Sequence, residues 1–216
     1  MKRFVFTLLA SVFIFHFSLM SQPKTQQKVV KFVIHTDLGD MKGILYNETP
    51  KHRDNFVKLV NSGFYNGLLF HRVISGFMIQ GGDPDSKNAK PGQLLGSGGP
   101  GYTVPAEFNK EFIHKKGALS AARQSDKDNP AKASSGSQFY VVQGKKIPAS
   151  QLAANYSAEQ KKIYETIGGT PFLDGQYTVF GEITEGLDVI DKIAVVQKDS
   201  YDRPITDIKM TVKIVK

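Results

Sequence analysis

The feature that most constrains this fold is a succession of short β-rich runs separated by turn residues. Eight runs of three to eight residues fit this description; most are rich in β-branched and aromatic residues and are bounded mainly by Gly, Pro, Asn, Asp or Ser. They span residues 29–36, 41–46, 68–74, 78–80, 118–122, 138–142, 178–183 and 208–215. Many short strands with few helices predict a mainly β domain, arranged as a closed or nearly closed antiparallel barrel. The pattern alone leaves a β-sandwich open as the alternative.

Two stretches have the apolar spacing of amphipathic helices. Thr49 is a predicted N-cap, and a proline at the first helical position begins a helix over residues 50–62. Gly63 follows at the position where helices commonly end. The second helix is predicted from Leu187 to Ile193, near the C-terminal end of the chain.

Three segments fall outside this pattern of strands and helices. Residues 81–101 are rich in Gly, Pro, Asp, Asn and Ser, which predicts a long surface loop. Residues 123–135 are polar, lack apolar periodicity and look like an insertion. Residues 145–168 form a second insert, in which Ser157 and Gln160 match a capping box. We therefore expect this second insert to be helical and to pack on the outside of the β core.

The N-terminus has the pattern of a secretory signal peptide. Two basic residues precede an apolar run from Phe4 to Met20, and the small residue Ser21 ends it. Residues 1–21 are thus predicted to be the signal, residues 22–28 a flexible leader and residues 29–216 the folded domain. An uncleaved membrane anchor is the alternative interpretation of the run. Either way, we expect an exported protein, periplasmic or secreted, with no other membrane segment.

Composition excludes several classes of function. The chain has no cysteine, which rules out disulfides, thiolate catalysis and cysteine-based metal sites. Its five histidines show no metal-ligand spacing, so we predict neither a metal nor a cofactor. The net charge of +8 is scattered rather than interleaved with stacking aromatics on one face, which argues against a nucleic-acid partner.

Two polar side chains stand out within apolar strands. Arg72 and Gln80 each lie four residues from Gly76, where a chain reversal is predicted. They would then form a cross-strand pair on one face, with Cβ atoms ~4.5–5.5 Å apart. A surface Arg–Gln pair over a hydrophobic belt is the alternative to a functional pair.

Four ordered motifs resemble those of the cyclophilin family. The resemblance extends from about residue 31 to residue 216. Its most specific part is the stretch from Phe70 to Asp83, which contains Phe-His-Arg, Gly-Phe-Met and Gln-Gly-Gly-Asp. The other matching segments are Gly117–Ala122, Gly136–Tyr140, and Leu173–Gly175 with Thr178–Gly181.

The resemblance implies a closed eight-stranded antiparallel barrel capped by two helices, with the 145–168 insert as an addition. It implies peptidyl-prolyl cis–trans isomerase activity, with Arg72 as the catalytic residue and Gln80 as its hydrogen-bonding partner. His71 belongs to the same signature. The residues implied for the proline pocket and peptide groove are Phe77, Met78, Ala122, Arg123 (through its backbone), Gln138, Tyr140, Phe172, Leu173 and Tyr177.

The sequence departs from the family pattern at a few of these positions. Ser75 stands where the family usually has proline, and Phe172 where many members have tryptophan. Neither departure affects Arg72 or Gln80. The predicted function is a monomeric isomerase that acts on proline-containing polypeptides and assists the folding of exported proteins. The alternative is a non-catalytic proline-peptide-binding module or chaperone with the same fold.

Overall fold

A computed structural model of the chain describes residues 28–215. The predicted signal peptide over residues 1–21, and all but the last residue of the predicted leader, lie outside this range. Within the described range, no helix has the length and apolar character needed to cross a membrane.

Eight of the strands close into an antiparallel barrel. The strands described between residues 28 and 215 are β1 (Val30–Thr36), β2 (Gly39–Leu45), β3 (Leu68–Ile74), β4 (Met78–Gly81), β5 (Thr103–Val104), β6 (Ala118–Ala121), β7 (Ser134–Ser135), β8 (Phe139–Val142), β9 (Val179–Glu185) and β10 (Lys209–Val215). Around the barrel the order is β1-β10-β3-β4-β8-β6-β9-β2, and β2 pairs with β1 to close it. The predicted barrel is confirmed and the sandwich is excluded.

The described part of the chain has three α-helices. They are α1 (Pro50–Asn61), α2 (Ala158–Thr166) and α3 (Leu187–Ala194). The two predicted amphipathic helices correspond to α1, which packs against β9 and β10, and α3, which packs against β2, β3 and β4. Helix α2 lies in the 145–168 insert.

Aromatic side chains fill the barrel around Phe56 of α1. Its ring lies 5.2–5.8 Å from the rings of Phe32, Tyr65, Phe139 and Phe180, measured between centroids. These distances suit edge-to-face and tilted contacts, which favour aromatic pairs beyond simple burial. Phe56 therefore joins α1 to strands on several sides of the barrel.

Helix α1 begins after the predicted N-cap Thr49, but another residue accepts hydrogen bonds from its first N–H groups. Thr49 occupies the N-cap position, but its hydroxyl donates to the Tyr46 carbonyl at 3.4 Å. The carboxylate of Glu107 instead accepts from the backbone N–H groups of Lys51 at 3.0 Å and His52 at 2.9 Å. A negative charge there also complements the helix dipole. A side chain from a distant loop therefore accepts the hydrogen bonds that an N-cap threonine usually accepts.

The segment over residues 81–101 is more deeply buried than the surface loop that its composition predicts. Asp83 and Ser86 are fully buried. The Asp83 side chain accepts from the N–H groups of Gly96 at 2.5 Å and Asp85 at 2.8 Å, so a buried polar group organises the loop. The 123–135 insert also ends in regular structure, because β7 pairs with β5 in a small separate sheet.

The 145–168 insert packs beside the barrel as predicted. Ser157 and Gln160 form the expected capping box at the start of α2. On the inner side of α2, Tyr164 is completely buried and packs with Ile113 and Leu152. The insert thus has its own small apolar cluster.

Candidate active site

The hairpin of β3 and β4 places Arg72 opposite Gln80. Ile74 pairs with Met78 across a three-residue turn, and two residues further along Arg72 pairs with Gln80. Gly76 sits in that turn at φ +75°, a conformation that favours glycine. The cross-strand pair predicted from the sequence is confirmed.

A β-bulge at His71 sets the direction of the Arg72 side chain. The register shifts between Phe70, which pairs with Gly81, and Arg72, so His71 is the extra residue of the bulge. Phe70 and His71 are both buried, whereas the Arg72 side chain keeps 42% of its surface exposed. The bulge therefore lets β3 fill the core and still present Arg72 outside it.

The row that begins with Arg72 and Gln80 continues over two more strands. Gln80 pairs with Tyr140 on β8, and Tyr140 pairs with Ser120 on β6. Residues directly opposite on neighbouring strands share a face of the sheet. Arg72, Gln80, Tyr140 and Ser120 therefore line up across one face of the barrel wall.

Gln138 organises the amide side chains of this face. Its Oε1 accepts a hydrogen bond of 3.0 Å from Gln80 Nε2, and its own Nε2 donates to the carbonyls of Gly96 at 2.9 Å and Gly98 at 2.7 Å. The expected hydrogen bond between Gln80 and Arg72 is not found among the contacts of residues 28–215. Gln80 is instead held by Gln138, beside Arg72.

Arg72 has an acidic neighbour that the sequence did not reveal. Its Nε lies 3.9 Å from Asp202 Oδ2. Lys198 Nζ contacts the other oxygen of Asp202 at 2.5 Å and donates to the Val73 carbonyl at 3.2 Å. Asp202 and Lys198 are more than 120 residues from Arg72 in the chain, and no local motif marks them as partners.

The apolar residues predicted for the proline pocket come together in one cluster, separate from the barrel core. Its members among the predicted residues are the buried Met78, Tyr140 and Leu173 and the partly buried Phe77, Ala122 and Tyr177. Phe172 lies at its edge with 69% of its surface exposed, and its ring is 5.6 Å from that of Phe77. Phe172 and Phe77 thus form an aromatic flank that faces solvent.

The Arg123 side chain makes several contacts at the edge of the apolar cluster. Its Nε donates to the Gln176 carbonyl at 3.0 Å, and its Nη1 pairs with Asp126 at 2.6 Å. The guanidinium carbon lies 4.4 Å from the centroid of the Tyr177 ring, a cation–π contact. Arg123 therefore fixes the ring of Tyr177 at the edge of the apolar cluster.

A cavity of about 810 Å³ adjoins the polar end of this face. Its lining includes Gln80, Ala122, Arg123 and Gln138, together with backbone of the Gly96–Gly99 stretch. An open, partly polar cavity of this kind suits a peptide backbone more than a compact apolar ligand. In residues 28–215, no three side chains of His, Asp or Glu cluster so as to hold a metal ion.

Comparison with known proteins identifies the family. Residues 31–214 match the family described as "Cyclophilin type peptidyl-prolyl cis-trans isomerase/CLD". The chain belongs to the cyclophilin family. A protein named putative peptidyl-prolyl cis-trans isomerase from Staphylococcus saprophyticus is 38% identical over 184 residues, covering 83% of this chain and 88% of its own. A protein of the same name from Staphylococcus aureus strain USA300 is 38% identical, covering 86% of this chain and 91% of its own.

Solved structures agree with this assignment. A cyclophilin type peptidyl-prolyl cis-trans isomerase from Cryptosporidium parvum superposes with a TM-score of 0.67 at 28% identity, covering 88% of this chain and 99% of its own. The same protein, crystallised in the presence of the dipeptide Ala-Pro, gives a TM-score of 0.65 at 29% identity, covering 86% and 99%. This chain is accordingly an enzyme of the cyclophilin type, a peptidyl-prolyl cis–trans isomerase.

Burial of His71 gives this cyclophilin a predicted sensitivity to acid. Burial lowers the pKa of His71 from its ordinary value of 6.5 to about 4, although Asp83 attracts the proton. Between pH 6.5 and pH 4 the unfolded chain therefore binds a proton that the folded protein does not. We expect the free energy of unfolding to fall by roughly 3 kcal/mol across this window, at ~1.4 kcal/mol per pKa unit, and to be unaffected by this group above pH 6.5.

Urea titrations at pH 7 and pH 4.5 measure this loss. In His71→Gln the decrease should be smaller, leaving the part due to His52, whose pKa burial also lowers. Asn61→Gln, at an exposed neutral side chain of α1, provides the control and should keep the full decrease. An equal decrease in His71→Gln and the wild type would contradict the prediction.

Proposed function

We propose that the row of Arg72, Gln80 and Tyr140, with the apolar cluster beside it, is the catalytic groove of this isomerase. The observation that carries the proposal is the alignment of Arg72 with Gln80 and Tyr140 on adjacent strands, next to the buried Met78 and Leu173. A single groove thus offers a cationic donor beside an apolar slot. All of these groups come from one chain, so the proposed enzyme acts as a monomer.

This arrangement suits the chemistry of prolyl rotation. The barrier is about 18–20 kcal/mol because amide resonance must be broken, and no proton or covalent bond has to be exchanged. What lowers the barrier is a donor to the prolyl nitrogen as its lone pair localises. The Arg72 guanidinium offers a fixed fork of donors for that purpose. A donor held in place before the reaction stabilises charge more effectively than water does.

Proline-containing polypeptides are the proposed substrates. The related Cryptosporidium parvum protein was crystallised in the presence of Ala-Pro, which supports binding of short prolyl peptides by a groove of this type. Phe77, Met78 and Leu173 would hold the pyrrolidine ring. The cavity beside Gln80 and Gln138 would receive the peptide on the other side of the X-Pro bond. Neither a nucleic acid nor a cofactor has a role in this proposal.

A non-catalytic proline-binding module or chaperone is the competing function. The two functions are distinguished by how fast the cis and trans forms of a prolyl peptide interconvert when the protein is far less concentrated than the peptide. A catalyst raises this rate in proportion to protein concentration, whereas a pure binder leaves it unchanged. The donor Arg72 beside the apolar slot favours catalysis, because a pure binder has no need of a cation there.

Export is the second part of the proposal, with the folding of exported proteins as the biological role. It is supported by the basic and apolar pattern of residues 1–21. We expect the intact mass of the protein recovered outside the cytoplasm to equal that of the chain without residues 1–21. Leu9→Arg interrupts the apolar run and should retain the full-length chain in the cytoplasm. Recovery of the wild type only as a full-length cytoplasmic protein would contradict export.

A further inference from the structure

A partly buried carboxylate, that of Asp174, connects the 145–168 insert to the proposed groove. One oxygen of Asp174 accepts hydrogen bonds from the backbone N–H and from Nδ1 of His114, both at 2.7 Å. The other oxygen accepts from the hydroxyl of Tyr156 at 2.7 Å and from that of Tyr164. A carboxylate has about four acceptor sites, so these contacts use its full capacity.

His114 extends this network to Tyr140 in the groove. Its Nε2 lies 3.0 Å from the Tyr140 hydroxyl, and the two rings are nearly parallel at 6.1 Å between centroids. His114 therefore contacts Asp174 through Nδ1 and the Tyr140 hydroxyl through Nε2, so one ring connects the two groups. Both side chains are buried, so the Tyr140 ring is held in one position.

The same carboxylate fixes the wall of the groove formed by Leu173. Asp174 directly follows a short 3₁₀ turn over Pro171–Leu173. The Tyr156 hydroxyl also contacts the Pro171 carbonyl at 3.1 Å. The insert therefore holds the chain on both sides of Leu173, through the Pro171 carbonyl on one side and the Asp174 side chain on the other.

The hydrogen bonds around Asp174 are strong enough to keep the residues they connect in fixed positions. Burial alone would raise the pKa of Asp174, but the hydrogen bonds from His114, Tyr164 and Tyr156 outweigh it and lower that pKa. The group therefore stays a carboxylate, and hydrogen bonds to a charged acceptor are roughly twice as strong as neutral ones. Tyr164 is itself completely buried in the apolar cluster of the insert, which gives the network a rigid anchor.

We infer that the 145–168 insert is a positioning element for the proline pocket. Tyr164 of the insert holds Asp174, and Asp174 in turn keeps Tyr140 and Leu173 in the geometry that receives the prolyl ring. This inference rests on the proposed groove. It assigns the insert an effect on the affinity for the prolyl peptide, transmitted through side chains that do not touch the substrate.

Tyr164→Phe tests the inference because it removes one hydroxyl and keeps the buried ring. We expect the KM for an X-Pro peptide to rise about fivefold, the change that corresponds to one hydrogen bond, with kcat changed less than about twofold. In a Tyr140→Phe background the pocket ring no longer bonds to His114, so the effect of Tyr164→Phe on KM should be smaller, leaving only the part transmitted through Leu173. Tyr201→Phe, at an exposed tyrosine, is the matched control and should leave both constants unchanged.

Met78→Ala separates failure of this inference from failure of the proposed groove. If Met78→Ala raises KM while Tyr164→Phe does not, the groove stands and the positioning role is overturned. If Met78→Ala also leaves KM unchanged, the groove and the inference are both overturned. Should Tyr164→Phe fail to fold, Tyr156→Phe removes the second donor to the same oxygen and takes its place. Equal effects of the tyrosine variants in the two Tyr140 backgrounds would also overturn the inference.

Discussion

Arg72→Ala is expected to lower kcat/KM for the isomerisation of an X-Pro peptide by about 100- to 1,000-fold, the loss typical of removing one preorganised donor at a developing charge. Arg72 is the cation that the β3 bulge presents beside the apolar cluster, next to Gln80. Without it, the prolyl nitrogen has no donor as amide resonance is lost. A protease-coupled assay with a prolyl peptide measures the rate.

Two further variants test whether the loss of activity comes from the donor groups of Arg72. Arg72→Lys keeps the charge but loses the planar fork, so it should recover only part of the rate. Arg53→Lys changes an arginine of α1 whose guanidinium bonds to Asp54 and Asn47, and should keep a near-normal rate. Wild-type activity in Arg72→Ala would contradict the catalytic role of this residue.

Phe56→Ala is expected to reduce the free energy of unfolding by about 3–5 kcal/mol, as large cavities in aromatic cores do. The Phe56 ring joins α1 to four other aromatic residues inside the barrel, and almost none of its surface is exposed. Its removal leaves a cavity that the closed sheet cannot easily fill. Urea unfolding monitored by circular dichroism measures the change.

Phe172→Ala provides the matched comparison at the surface. Phe172 keeps 69% of its surface exposed, so its replacement should change the free energy of unfolding by no more than about 0.5 kcal/mol. Similar values for the two variants would show that Phe56 is not the centre of the core. In the folded fraction of Phe56→Ala we expect near-normal kcat/KM, because Phe56 lies inside the barrel and not in the groove.

The elements of this barrel could be predicted because local signals agree with the final structure. Turn residues such as Gly, Asn, Asp and Ser bound many of the predicted runs, and each predicted strand of the barrel lies within two residues of an observed one. The pairing of Arg72 with Gln80 also followed from the sequence, since the short turn at Gly76 fixes the hairpin register. Closure of the sheet was different, because it depends on pairings between strands far apart in the chain.

Contacts between distant residues were the part that the sequence did not reveal. Glu107 accepts a hydrogen bond from a backbone N–H group in the first turn of α1, although it lies 55 residues away in the chain. From the sequence alone, the neighbouring Thr49 was the more plausible acceptor. Asp174 also lies in a motif whose letters give no sign of its four donors. Such contacts depend on how loops fold back on the barrel. A single sequence carries no local signal for that geometry.

The candidate site was found because its residues are concentrated in family motifs. The resemblance placed Met78, Tyr140 and Leu173 in one pocket, and the structure brings them into one cluster. It did not indicate that Gln80 bonds to Gln138, or that Asp202 lies beside Arg72. These two contacts join residues far apart in the chain, and no local motif marks them.

The central claim is that the groove around Arg72 binds a prolyl peptide and accelerates rotation of its X-Pro bond. The most direct test is an NMR exchange measurement on an Ala-Pro-containing peptide, with the isotope-labelled protein observed in the same sample. We predict cis–trans exchange at a small molar fraction of enzyme, with peptide-induced shifts at Met78, Gln138 and Tyr140. In Arg72→Ala the shifts should remain while the exchange disappears. Exchange that persists in Arg72→Ala, or shifts confined to other parts of the barrel, would contradict the account.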